Sequence, residues 1–109
     1  MTTTKIRLCQ AVLTGAAAEV YGPVPTNAQV AIQAATAWNP TGSPVSVDVF
    51  IVPASGSAAD PTHVGHVSAG AGRTGILVDL LNQTLQSGDA LYAVGAGCTL
   101  TVSGNLISN

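Results

Sequence analysis

The feature that most constrains this chain is an alternation of apolar and other residues with a period of two. It is clearest in NAQVAIQAATAWN, residues 27–39, and in VSVDVFIV, residues 45–52. A strand sends successive side chains to opposite faces. Val30, Ile32, Ala34, Thr36 and Trp38 are therefore expected on one face of the first segment. Val45, Val47, Val49 and Ile51 are expected on the core face of the second. The opposite face of the second segment begins with Ser46 and Asp48 and ends with Phe50 and Val52. It should meet water near its start and be covered near its end. Between the segments lies NPTGSP, where Pro40 and Gly42 supply turn chemistry. The sequence predicts a hairpin over residues 28–52.

Similar runs recur along the chain. KIRLCQAVLTG, AEVYG, THVGHVSA, RTGILVDLL, DALYAVGA and CTLTVSGNLI read as strands. GPVP, PASGSAADP, GAGRTG and NQTLQSGD read as connections, the last with room for one helical turn. About eight short strands, with turn signals every 8–12 residues, predict an all-β sandwich of jelly-roll-like form. The 109 residues suit one domain, 1–109, with residues 1–4 expected as a flexible polar N-terminal arm.

Charge excludes more than it suggests. Only 7% of residues are charged: Lys5, Arg7 and Arg73 against Glu19, Asp48, Asp60, Asp79 and Asp89. Nucleic-acid binding needs clustered cations, so no nucleic-acid partner is expected. No apolar run reaches the roughly 20 residues of a membrane-spanning helix. The start, MTTTKIRLCQAVLTG, lacks the apolar core of a signal peptide, so synthesis in the cytosol is the expectation. Surfaces that keep a domain monomeric carry roughly 25–35% charged residues. A chain far below that is expected to be covered by partners in its working state. Two readings stand for Cys9 and Cys98: small buried hydrophobes, or a disulfide tying the first and last strands.

The raw material for catalysis is thin. HVGH places His63 and His66 three residues apart, which on a strand sends them to opposite faces. A metal would also need further ligands. AGAGRTG lacks the Lys-Ser/Thr of a phosphate loop and precedes a strand, so it reads as a turn. No Gly-x-Ser-x-Gly elbow occurs. No cofactor and no enzymatic activity are expected. Trp38 has two readings. As a core cap it supplies burial, which a small core favours. If exposed, it is an interface anchor or a sugar-binding platform.

Several stretches together resemble a known group. YGPVPTNAQV leads into a strand ending in Asn and a Pro-Thr-Gly turn. VSVDVFIVPASGSAAD, LQSGDALYAVGA and TVSGNLI follow. From about Tyr21 to Ile107 the chain is similar to short β-rich structural proteins of tailed bacteriophages, of capsid decoration or cement type. Ser103-Gly104 is followed here by Asn105-Leu106, where that group has Val-Glu. The resemblance implies a virion protein on the outer capsid surface, made in the host cytoplasm. It would bind major capsid protein, bridge and stabilise its subunits, and form a dimer or trimer. A tail or neck component and a carbohydrate-binding module for host attachment are the alternatives. The residues expected at the partner interface are Thr2, Thr3, Thr4, Lys5, Trp38, Ser55, Ser57, Asp60 and Arg73.

Overall fold

A computed structural model describes residues 2–108, and the side chain of Asp60 lies outside that description. The strands are β1 (Thr2–Val12), β2 (Ala18–Tyr21), β3 (Ala28–Asn39), β4 (Val45–Val52), β5 (His63–Ala69), β6 (Arg73–Ile76), β7 (Thr84–Leu85), β8 (Ala90–Val94) and β9 (Thr99–Ser108). They form two antiparallel sheets. The first runs β1-β9-β3-β6, with the two-residue β7 also pairing β3; the second runs β2-β8-β4-β5. With β7 set aside, the strand order is 1-8-3-6 over 2-7-4-5, the paired Greek keys of a jelly roll. The expected fold class is therefore what the chain adopts.

The core lies between the sheets. Val30, Ile32, Ala35, Ala37, Leu100 and Val102 of the first sheet face Val47, Val49, Leu91 and Ala93 of the second, all buried. These side chains are small, and each fully buried Leu or Val contributes roughly 1.5–3 kcal/mol. Leu77, Leu80 and Leu85 complete the core along one edge. Their segment holds to β3 by backbone bonds: Leu77 N–H to Ala35 O, Asn82 N–H to Ile32 O, and Ile32 N–H to Gln83 O. The predicted strand in RTGILVDLL thus stops at Ile76, and the helical turn falls at Val78–Leu80.

The expected hairpin over 28–52 is corrected. β3 lies in the first sheet and β4 in the second, so NPTGSP is an arch between layers. Alternation specifies one buried face per strand, and that is satisfied by an arch as well as by a hairpin. The device at the corner is Asn39, fully buried. Its Nδ2 donates to Ser43 O at 2.8 Å and Ala69 O at 2.9 Å. Its Oδ1 accepts from Thr41 N at 2.9 Å and Thr41 Oγ1 at 2.6 Å. A buried amide with both ends satisfied fixes the path of the turn.

Of four register shifts in the sheets, those in β3 and β5 correct predicted faces. In β3 the pairing with β9 steps from Ile32↔Gly104 to Ala34↔Ser103, leaving Gln33 extra. A bulge of one residue reverses the parity of everything after it. Val30 and Ile32 point inward as expected, but beyond the bulge Ala35, Ala37 and Asn39 are buried and Trp38 turns outward. In β1 the extra residue is Leu8, between Arg7↔Ser103 and Cys9↔Val102. In β5 it is Val64, between Val49↔Gly65 and Phe50↔His63. The expected arm at residues 1–4 is corrected for residues 2–4, which open β1 with Thr2, Thr3 and Thr4 paired to Ser108, Ile107 and Leu106, while residue 1 lies outside the described residues.

Candidate functional site: the two outer faces

Directly paired residues share a face, so the registers give the outer surface of the first sheet row by row. Val12, Thr99, Trp38 and Thr74 form one row; Gln10, Thr101, Thr36 and Ile76 form the next. Val12 is 71% exposed, Ile76 60% and Trp38 43%. Trp38 is therefore not a core cap. The Gln33 bulge turned it outward, and it stands between threonines on a flat, weakly polar face.

Further along the same face lie Arg7 beside Ser103 and Lys5 beside Asn105. The bulges at Leu8 and Gln33 flank the same stretch of β9, Val102–Gly104. Bulged strands bend. The two bends and the bare Gly104 leave an open groove of about 420 Å3 lined by Lys5, Ile6, Arg7, Gln33, Ala34, Ser103 and Gly104. Gly104 is required there. A Cβ at that position would collide with the Ala31 carbonyl on β3.

The outer surface of the second sheet is built differently. One row is Glu19, Tyr92, Phe50 and His63; the next is Val94, Asp48 and His66. The expectation that His63 and His66 lie on opposite faces is corrected by the Val64 bulge, which restores both to one face. His63 Nε2 lies 3.0 Å and His66 Nδ1 2.7 Å from the same Asp48 Oδ1, which accepts from both rings. Phe50 stacks obliquely on His63, with ring centroids 5.1 Å apart. Asp48 thereby clips edge strand β5 to β4, and the cover over Phe50 comes from the same domain. Among the described residues no three His, Cys, Asp or Glu side chains are arranged to hold a metal ion.

Cys9 and Cys98 are both buried and free. Cys9 faces Val102 of β9, four residues along the chain from Cys98, or roughly 13 Å at strand rise. A disulfide needs Cα atoms within about 7 Å, so the intrachain bridge is ruled out. Burial pushes the Cys9 thiol up to about 11 and raises Cys98 as well.

The residues expected at a partner interface divide between the two ends of the sandwich. Thr2, Thr3, Thr4 and Lys5 occupy the start of β1. Ser55 and Ser57 lie in the exposed loop after β4. The neighbouring Ala54 approaches Gly88, and Ser87 bonds Ala28 at the start of β3. Trp38 and Arg73 sit at the opposite end, Arg73 pairing with Asn39. The side chain of Asp60 lies outside the described residues. The sequence reading missed Val12, Ile76 and the Asp48–His63–His66 cluster. Each depends on a bulge or on a pairing between strands distant in sequence.

No family model matches this chain, and no curated protein matches it. Among solved structures the fold is similar to a chain in "Bacillus endospore appendages form a novel family of disulfide-linked pili". The TM-score is 0.50 at 14% identity, covering 98% of this chain and 87% of that one. It is also similar, at a TM-score of 0.42 and 10% identity, to part of a chain in "Structure of infectious bursal disease virus Gx strain". That match covers 96% of this chain and 31% of the other. At such identities the likeness to the first is one of fold.

Proposed function

We propose that this chain is a structural protein that works by binding other subunits, and that it serves as a capsid decoration protein of a bacteriophage virion. In this reading it lies on the outer capsid surface and bridges major capsid protein subunits. It acts as an oligomer and catalyses nothing. The observation that carries the reading is the outer face of the first sheet. Val12, Trp38 and Ile76 stand there exposed among threonines, on a domain with few charges to keep neighbours apart. The resemblance of YGPVPTNAQV, VSVDVFIVP and LQSGDALYAVGA to phage structural proteins supports the virion. The jelly roll supports it too, since capsid domains use that fold.

A second reading, a repeating subunit of a surface appendage, is favoured by the fold shared along nearly the whole chain with a protein of disulfide-linked pili. The sheltered positions of Cys9 and Cys98 weigh against a disulfide between subunits that retain this fold.

The test is copy number and particle resistance. A decoration protein is expected in purified particles at a number comparable to the coat protein's. Particles lacking it should release their nucleic acid at lower temperature, and adding back the purified protein should restore resistance. A few copies per particle, or unchanged heat resistance without the protein, refutes the decoration role.

A further inference from the structure

Among the described residues, the charges on the two outer faces are sorted by sign. Lys5 and Arg7 project from the outer face of the first sheet, and Arg73 opens β6 of that sheet. Glu19 and Asp48 belong to the outer face of the second sheet. Asp79 reaches the backbone of its edge strand, with Oδ2 3.5 Å from His66 N, and Asp89 directly precedes β8. Among the described residues Lys5 and Arg7 have no carboxylate within ion-pair distance; the ion pairs are those of Asp48 with its two histidines. With neutral histidines, one outer face carries two positive charges and the other two negative ones.

We infer that the outer face of the first sheet docks onto the outer face of the second sheet of another copy of this chain. The positive rows at Lys5 and Arg7 meet Glu19 and Asp48. Contact between two copies of the same face is disfavoured, because it would oppose like charges. The slab measures 45 × 27 Å in its two longer directions, enough for the roughly 800 Å2 per partner of a standard interface. Such a contact is heterologous: each copy offers one face and accepts the other, so association repeats from copy to copy. It belongs to the chain itself and goes beyond any capsid it decorates.

The test is sedimentation of the purified full chain over a range of concentrations. Association is expected at about 50 mM salt, with an apparent dissociation constant rising at least ~10-fold at about 500 mM, because exposed charge pairs are screened. Two variants decide the geometry: Lys5→Glu/Arg7→Glu, and Glu19→Lys/Asp48→Lys. Each alone should stay monomeric. Their mixture should associate, because every face then finds an opposite one. Asp48 holds two histidines, so Glu19→Lys alone, at an exposed site, is the companion should the double variant not fold. A wild-type chain that is monomeric at low salt overturns the inference. Association that survives high salt, or that Glu19→Lys leaves unchanged, overturns it equally.

Discussion

Replacing Asn39 with alanine removes the side chain that holds the arch between the two sheets. The cost follows from its four hydrogen bonds. Ser43 O regains a donor, because the Thr41 hydroxyl, released from Asn39 Oδ1, can turn its proton to that oxygen 2.9 Å away. Thr41 N is only partly buried and regains water, a loss of about 0.5–1 kcal/mol. Ala69 O is buried and loses its side-chain donor, at about 1–3 kcal/mol. Asn39→Ala should therefore destabilise the domain by about 1.5–4 kcal/mol, which for a domain of this size lowers Tm by roughly 6–18 °C. Asn39→Asp sharpens the test. It puts a carboxylate oxygen against the Ser43 and Ala69 carbonyls, so the new carboxyl holds its proton more tightly folded than unfolded. Its stability should be greater in acid and fall as pH rises through the raised folded-state pKa. Urea unfolding at two pH values measures both. A loss below about 1 kcal/mol for Asn39→Ala, with unchanged urea dependence, would refute the claim that this amide fixes the arch.

Three further outcomes are expected. A thiol reagent at pH 8 should label neither Cys9 nor Cys98 in the native protein and both in denaturant, since burial keeps each thiol protonated and sheltered. Rapid native labelling would contradict the packing of β1 on β9. Gly104→Ala should cost roughly 2–4 kcal/mol or abolish soluble expression, because the added carbon meets the Ala31 carbonyl. Gly42→Ala, where the added carbon has nothing within 4 Å, should stay within about 0.5 kcal/mol by the same unfolding assay.

Most of the strands were legible because alternation survives in them locally. β4 followed its pattern closely, with Val47 and Val49 buried and Ser46 exposed. β3 did so only as far as Ile32. Nothing in NAQVAIQAATAWN marks Gln33 as the residue that drops out of pairing; the shift is set by β9, some 70 residues later, with Gly104 opposite Ile32. The same limit hid the site. Asp48 and the two histidines meet because β5 pairs with β4 and carries a bulge between them. β7 was hidden for another reason: Thr84 and Leu85 make a strand only because β3 offers an edge there. Turn chemistry reports a reversal of direction and is silent about which layer the chain enters, so an arch and a hairpin carry the same sequence signal.

The free edge of β1 has a consequence for safety as well as for assembly. On its far side from β9 this strand has no sheet partner among the described residues, and the outward N–H and C=O groups along its length invite another strand to fuse with it. Two features make the middle of that edge a poor template. The Leu8 bulge interrupts the regular spacing of its hydrogen-bonding groups, and Lys5 and Arg7 place charge just before the interruption. An incoming strand would match only a few residues before losing register. Along this edge, copies at high local concentration are therefore kept from merging their sheets into a continuous fibre.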